Sequence, residues 1–224
     1  MTAEGRSPKS VPLIGLIGPI GSGKSTVAGW LADRGAAVVD ADKLTREMMA
    51  PGAPLTESII ARFGEQFRLA DGSLDRTALG RHVFSDPAAL AELEALVHPA
   101  INDQLLRLVR DAGATGPSAV VLEAIRLVEA GYASSCDQVW LIVCDPEAQL
   151  ARLTGRGMEE SDARQRVAAQ SDSLPLWRSA ATRTISTNGP PDTVERAVAA
   201  AFAEAMASEP RDPTRSSKPF QKPG

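Results

Sequence analysis

GPIGSGKSTVAGWLADRGAAVVDADK, residues 18–43, places three glycines, a lysine and two serines within its first eight residues. An apolar run of strand length, residues 13–17, comes directly before it, and residues 24–34 carry apolar side chains at helical spacing. Glycines allow the backbone N–H groups of such a loop to point inward at an anion, and the N-terminus of the following helix adds its dipole. The G-x-x-x-x-G-K-S spacing in this context predicts a phosphate-binding loop between a strand and a helix.

The residues of this loop have different expected roles. Lys24 is placed to reach the β- and γ-phosphates of a nucleotide, Ser25 to bind Mg²⁺, and Thr26 to contact the α-phosphate. The alternative is a glycine-rich turn with an incidental lysine, which the strand-loop-helix context disfavours. The residues expected to bind phosphate are Gly18, Pro19, Ile20, Gly21, Ser22, Gly23, Lys24, Ser25 and Thr26.

The rest of the chain alternates between strand-like and helical patterns. Buried strands are predicted at 13–17, 37–39, 119–122, 139–143 and 184–186, and helices throughout 42–113. This pattern predicts an α/β fold, a three-layer αβα core with a parallel sheet covered on both faces, carrying a helical insertion. The predicted domains are a core of 11–42 and 114–207, a helical domain of 43–113, and disordered tails at 1–10 and 208–224.

Composition excludes several classes of protein. The chain has 224 residues, 43% of them hydrophobic, and a net charge of −4, so no general attraction to nucleic acid or anionic lipid is expected. Its two cysteines, Cys136 and Cys144, form no CxxC motif, and no disulfide framework or zinc site is predicted. The first apolar run is too short for a signal or membrane segment. We expect a cytoplasmic protein, monomeric, with no membrane or nucleic-acid partner.

Missing motifs narrow the nucleotide chemistry. The chain lacks an N-K-x-D guanine motif, an L-S-G-G-Q-like signature and a D-E-x-D/H box, which disfavours switches, transporters and helicases. A small-molecule kinase remains, and it needs a carboxylate for the acceptor hydroxyl. Asp40 and Asp42 follow the second strand, at the sheet edge where ligands bind, and as alternate residues of an extended segment both are expected to face the cleft. The alternative is that Asp42 caps the next helix.

These motifs carry a resemblance to one family. Residues 15–52 closely resemble the start of dephospho-CoA kinases, with the phosphate loop, an Asp-Ala-Asp, an Arg-Glu and a Pro-Gly in that order. The resemblance covers roughly residues 11–205. Further matches are FG at 63–64, DGSLDR at 71–76, VF at 83–84, HPAI at 98–101, QLARLTGR at 149–156 and AAQ at 168–170.

The resemblance implies ATP-dependent phosphorylation of the ribose 3'-hydroxyl of dephospho-CoA, the last step of coenzyme A biosynthesis. It implies a P-loop kinase core, a helical domain that binds the CoA substrate, a lid at about 152–170, and ATP with Mg²⁺. Asp42, Lys24 and Arg152 are then the expected catalytic residues. The expected substrate contacts are Asp40, Asp42, Arg46, Arg76, His98 and Glu129. Arg46 and Arg76 could equally be surface charges, and His98 a buried structural histidine.

The assignment of two arginines to the lid depends on the same resemblance. Arg152 and Arg156 would clamp the phosphates, and their four-residue spacing is expected to put both on one helical face. The alternative is a solvated surface pair. Asn188 and Gly189 complete the expected nucleotide site.

The chain also departs from the family pattern. Ile125 stands where many relatives have proline, and the preceding strand could be a Walker-B-like strand that ends in Glu123. Asp145, before Pro146, is expected to cap a helix. Thr182 and Thr187 replace the usual Asp and Asn, which puts the adenine contacts in doubt. Two other functions stay open: a P-loop kinase for another nucleoside or small alcohol, and a nucleotide-binding regulatory protein without turnover.

Overall fold

A computed structural model describes residues 11–207, and the predicted tails at 1–10 and 208–224 lie outside the described residues. The strands are β1 Leu13–Ile17, β2 Ala37–Asp40, β3 Val120–Glu123, β4 Gln138–Val143 and β5 Arg183–Ser186. The helices are α1 Lys24–Ala32, α2 Ala41–Met48, α3 Pro54–Phe63, α4 Arg76–Ser85, α5 Pro87–Ala114, α6 Pro146–Thr154, α7 Glu160–Ser171, α8 Leu174–Ala180 and α9 Pro191–Ala207, with short 3₁₀ turns at Glu65–Phe67 and Tyr132–Ser135. Every strand predicted from apolar runs is present, with bounds that differ by at most one residue at either end.

The five strands form one parallel sheet in the order β2-β3-β1-β4-β5. Leu16 of the central strand lies in register with Glu123 on one side and Trp140 on the other. The predicted parallel α/β architecture is confirmed. Since β1 and β3 run parallel, the glycine loop after β1 and the carboxylate at the end of β3 emerge at the same edge of the sheet.

Each face of the sheet has its own apolar layer. On one face, α1 and α9 pack against the strands, and Trp140, Leu31 and Phe202 are among the buried side chains of this layer. On the other face Gly15 leaves room for Leu127 and Cys136, because a Cβ at position 15 would lie 2.9 Å from Leu127 Cδ1 and from Cys136 Sγ. Burial raises the pKa of the Cys136 thiol to about 12, so this group is a neutral core side chain.

The chain divides into two compact units, one of residues 11–39 and 111–207 and the other Asp40–Arg110. The second unit is helical, and its apolar core is built around Ile59, Ile60 and Phe67. Within residues 11–207 no helix is long and apolar enough to cross a membrane.

The DGSLDR motif shapes a turn and a helix start in the helical unit. The carboxylate of Asp71 accepts from the N–H and hydroxyl groups of Ser73, at 2.9 and 2.6 Å, and these bonds lower the pKa of Asp71. Asp75 is the N-cap of α4, where its Oδ1 accepts from the N–H of Ala78 at 2.8 Å. Two acidic residues of this motif therefore have local structural roles.

We predict that Asp75→Ala lowers the free energy of unfolding by about 1 kcal/mol, because the first turn of α4 loses its side-chain acceptor. Urea denaturation followed by circular dichroism measures this change. Asp103→Ala, on the exposed side of α5, is the matched control and should shift the midpoint much less. Equal shifts for the two variants would contradict a capping role for Asp75.

Candidate active site

The loop between β1 and α1 is shaped by close packing on β4. A Cβ on Gly18 would lie 2.4 Å from the carbonyl oxygen of Ile142, and that backbone atom cannot move aside. Gly21 and Gly23 have φ angles of +76° and +90°, which side chains rarely tolerate. Gly23 also occupies the N-cap position of α1, without a side-chain cap. The glycines of the motif are therefore required by the backbone path, and the N-terminus of α1 is left open to a ligand.

Lys24, Ser25 and Glu123 meet at the end of the loop. Ser25 Oγ donates to Glu123 Oε1 at 2.9 Å, and Lys24 Nζ lies 3.6 Å from the same oxygen. The side chains of Lys24 and Glu123 are each about 10% exposed, so this ion pair is largely shielded from water. Glu123 thus offers one carboxylate oxygen to both of the loop side chains that are expected to handle phosphate and metal.

Thr187 connects the loop to the helix that follows β4. Its hydroxyl donates to the carbonyl oxygen of Ser22 at 2.6 Å and accepts from Arg152 Nη1 at 2.8 Å. Its own carbonyl oxygen accepts from Arg152 Nη2 at 2.7 Å. Thr187 is 6% exposed. The residue that stands in place of the family's usual asparagine is therefore a buried junction between the loop and Arg152.

A cavity of about 260 Å³ lies beside this junction. It is lined by Gly23, Thr26, Trp30, Arg152, Arg156, Thr187, Gly189, Pro191 and Val194. Its wall combines an indole ring and apolar side chains with two guanidinium groups, which suits a flat heteroaromatic group joined to an anion.

The two arginines reach this cavity from different structural settings. Helix α6 ends at Thr154, so Arg156 lies in the following turn, where its N–H donates to the carbonyl oxygen of Leu153 at 3.1 Å. The expectation that both arginines share one helical face is therefore wrong. Arg152 is bound to Thr187 and to the carbonyl oxygen of Gly21, which also excludes a solvated surface pair.

Asp40 and Asp42 have separate positions in the helical unit. Strand β2 ends at Asp40 and α2 begins at Ala41, so the two aspartates do not lie on one extended segment as expected. Asp40 is the N-cap of α2, and its Oδ1 accepts from the N–H of Lys43 at 2.7 Å. Asp42 is half-buried in the first turn of that helix. The N-cap of this helix is therefore Asp40 and not Asp42.

Three other predicted substrate contacts lie on the helical unit. Arg46 on α2, Arg76 at the start of α4 and His98 on α5 are all exposed. The alternative of a buried structural histidine at position 98 is therefore wrong. Exposure is compatible both with substrate contact and with a surface charge at Arg46 and Arg76.

Glu129 and Asn188 already have protein partners. Glu129 Oε1 accepts from the indole Nε1 of Trp177 at 2.9 Å, while its other oxygen is buried and has no hydrogen-bond partner among the described residues. Asn188 Oδ1 accepts from the N–H of Asp145 at 2.9 Å. Asp145 occupies the N-cap position of α6 with Pro146 after it, as expected, but its side chain makes no capping hydrogen bond.

Comparison with known proteins identifies the family. A family model described as dephospho-CoA kinase matches residues 12–188. The chain belongs to the dephospho-CoA kinase family. A dephospho-CoA kinase of Symbiobacterium thermophilum is 43% identical over 206 residues, which cover 92% of this chain and 86% of that protein.

Solved structures agree with the fold of this dephospho-CoA kinase family member. A protein from Thermus thermophilus superposes with a TM-score of 0.69 at 32% identity, covering 88% of this chain and 98% of the other. A shikimate kinase from Acinetobacter baumannii gives a TM-score of 0.51 at 18% identity, covering 89% and 95% of the two chains, which shows a shared fold alone. The family resemblance carried by the motifs is confirmed.

Two site residues of this dephospho-CoA kinase family member lie outside the expected catalytic and binding sets. Glu123 agrees with the alternative interpretation of its strand as Walker-B-like, because its carboxylate ends a buried strand beside the loop strand. Thr187 had no such signal, since its role depends on the approach of Arg152 and Ser22 from distant parts of the chain. Within residues 11–207 no group of three or more His, Cys, Asp or Glu side chains is arranged to hold a metal ion.

We predict that Thr187→Val raises the KM for ATP by about fivefold, because the isosteric side chain leaves the carbonyl oxygen of Ser22 and one donor of Arg152 without their shared partner. Steady-state kinetics with varied ATP measures this change. Thr184→Val, at an exposed position of β5, is the control. An unchanged KM in the Thr187 variant would show that the junction does not support nucleotide binding.

Proposed function

We propose that the protein transfers the γ-phosphoryl group of ATP to the 3'-hydroxyl of the ribose of dephospho-CoA, which gives coenzyme A and ADP. The observation that carries this proposal is that Glu123, at the end of β3, meets Lys24 and Ser25 of the phosphate loop in a chain that belongs to the dephospho-CoA kinase family. The same convergence favours an enzyme over a regulatory protein without turnover, because phosphoryl transfer uses a loop lysine together with oxygen groups that bind Mg²⁺.

In this proposal the core unit binds the nucleotide. The phosphates lie in the loop, against its N–H groups and the N-terminus of α1, and the adenine occupies the cavity between Trp30 and Pro191. Ser22 supports this placement, because its hydroxyl is buried and has no hydrogen-bond partner among the described residues, a cost of about 1–3 kcal/mol that a phosphate oxygen would relieve.

The positive charges of Lys24 and the two arginines then balance the negative charge of the triphosphate. Lys24 can exchange its contact with Glu123 for the β- and γ-phosphates, and the exposed side chain of Arg156, beyond the end of α6, can turn toward them. Arg152 binds the loop through the carbonyl oxygen of Gly21 and lines the cavity proposed for adenine. Positive charge fixed around the transferred group stabilises the charge that its equatorial oxygens carry in the transition state.

Mg²⁺ fits the oxygen groups present at the end of the loop. Ser25 and Glu123 would hold it, and both offer the hard oxygen donors that this ion prefers. Two protein donors suit an ion that takes its remaining ligands from water and phosphate oxygens. When bound, Mg²⁺ neutralises charge on the phosphate oxygens.

The helical unit would bind dephospho-CoA. Asp42 is proposed to accept the hydrogen bond of the 3'-hydroxyl and to take its proton, with Asp40, Arg46, Arg76 and His98 as further contacts. A positioned carboxylate meets this need, since a largely dissociative transfer requires orientation of the acceptor more than a strong base. Glu129 keeps the segment after β3 attached to α8 through Trp177.

The deciding experiment is a coupled assay of ADP release with dephospho-CoA, compared with a panel of nucleosides and small alcohols. We expect turnover with dephospho-CoA and its abolition in Lys24→Ala, because the variant loses the side chain that reaches the phosphates while the apolar face of α1 stays intact. Faster turnover with another acceptor would reject the proposed substrate. Unchanged turnover in Lys24→Ala would reject the site itself.

We predict that Asp42→Asn lowers kcat with dephospho-CoA by roughly 10², the usual range for a positioned acid-base group, because asparagine cannot take the proton. The KM for ATP should change little. Asp40→Ala provides the comparison for stability: it removes the N-cap of α2 and should cost about 1 kcal/mol of unfolding free energy. If Asp42→Asn kept its turnover, the role of acceptor base would pass to another carboxylate.

A further inference from the structure

Two glutamines from α6 and α7 bind both backbone polar groups of Ile20, at the tip of the phosphate loop. The N–H of Ile20 donates to Gln170 Oε1 at 2.7 Å, and its carbonyl oxygen accepts from Gln149 Nε2. Because a backbone N–H can only donate and a carbonyl oxygen can only accept, these contacts fix which end of each amide faces the loop. Gln149 is 5% exposed, so its amide would lack a partner if the loop moved away.

The bond from Gln149 falls on the central peptide of a tight turn. Residues 19–22 form this turn, closed by a hydrogen bond of 3.1 Å from the N–H of Ser22 to the carbonyl oxygen of Pro19. Gly21, the third residue, has a φ of +76°, and within residues 11–207 no residue other than glycine has a positive φ. A positive φ at the third position alone defines a type II turn.

Type I and type II turns differ by a flip of their central peptide. Here that peptide joins the carbonyl group of Ile20 to the N–H of Gly21, and in a planar trans peptide these two groups point in opposite directions. Since the carbonyl oxygen of Ile20 points toward Gln149 on α6, the N–H of Gly21 points away from α6. Gln149 therefore selects the direction of an N–H group of the phosphate loop.

Close packing reinforces the arrangement. A Cβ on Gly21 would lie 3.0 Å from the carbonyl oxygen of Gln149 and 3.1 Å from Leu153 Cγ. The carbonyl oxygen of Gly21 also faces this side, where it accepts from Arg152 Nη1 at 3.3 Å. The outer rim of the turn is thus covered by α6, and no flipped form of the peptide could keep the donor of Gln149 paired.

We infer that Gln149 and Gln170 are positioning residues for the phosphoryl donor: by holding the two backbone groups of Ile20 they keep the type II turn, and with it the N–H of Gly21, in the orientation that receives nucleotide phosphate. The inference rests on the proposed function only in taking ATP as the ligand of the loop. Gln149 acts as the obligatory donor and Gln170 as the obligatory acceptor of this pair.

Two substitutions of equal charge separate the donor from the acceptor. Gln149→Glu replaces the donor by a carboxylate that faces the carbonyl oxygen of Ile20, whereas Gln170→Glu keeps an acceptor for the N–H of Ile20. At pH 8 we expect the dissociation constant of ATP, measured by calorimetry, to rise at least tenfold in Gln149→Glu and to stay within threefold of the parent protein in Gln170→Glu. Gln165→Glu, at an exposed position of α7, carries the same charge as a control.

The pH dependence of ATP binding in Gln149→Glu provides a second measurement. A purely structural role of Gln149 would leave this pH dependence unchanged. Burial favours the protonated form of a carboxyl group, and a protonated carboxyl group at position 149 can donate again. The defect of Gln149→Glu, taken relative to the parent protein at each pH, should therefore shrink as the pH is lowered from 8 to 6. The KM for dephospho-CoA should stay unchanged in every variant. Gln149→Met, which removes the donor without adding charge, should weaken ATP binding about fivefold and replaces Gln149→Glu if that variant does not fold.

Equal weakening of ATP binding in the two Glu variants would overturn the inference, because charge alone would then explain both. Unchanged ATP binding in Gln149→Glu or Gln149→Met would overturn it as well. Nucleotide binding is measured without any acceptor, so a wrong assignment of dephospho-CoA as substrate would leave this test intact and would appear only in the turnover assay.

Discussion

The outward-facing carbonyl groups of the phosphate loop each need a donor, and the structure provides one for three consecutive residues. Ile20 is bound by Gln149, Gly21 by Arg152, and Ser22 by Thr187. A peptide that turns its carbonyl group outward turns its N–H to the opposite side, so these bonds also prepare the loop to receive an anion. The positions of α6 and of the segment after β5 follow from this requirement.

The two sides of the loop therefore have different functions. Lys24 and Ser25 meet Glu123 at the end of the loop, where charge can be exchanged with a ligand. The outer contacts involve neutral amides, one hydroxyl and one guanidinium, and they need not change when nucleotide enters. Because the outer contacts are already formed, binding does not have to include the ordering of the loop, which lowers its cost in conformational entropy.

Much of this molecule could be predicted from local pattern. The strands were readable because buried parallel strands are continuous apolar runs, and the loop because only glycine suits positions such as Gly18 and Gly21. The roles of Asp40 and Asp42 could not be predicted from the sequence. The carboxylate directly before the first residue of α2 becomes the N-cap, and the sequence pattern does not show at which residue α2 begins. The contacts of Thr187 and Gln149 with the phosphate loop could not be predicted, because their partners there, Ser22 and Ile20, are more than a hundred residues away in sequence.

The packing around the two cysteines makes the protein suitable for site-specific labelling. Cys136 is buried in the core with a pKa raised to about 12, so thiol reagents should leave it unmodified in the folded protein. Cys144 is half-buried, and its Sγ lies 3.7 Å from the carbonyl oxygen of Gly21. Burial raises the pKa of Cys144 while the charge of Arg152 opposes this, so alkylation calls for mildly alkaline conditions. A small fluorophore attached there would sit against the glycine turn and report on its surroundings without any engineered cysteine.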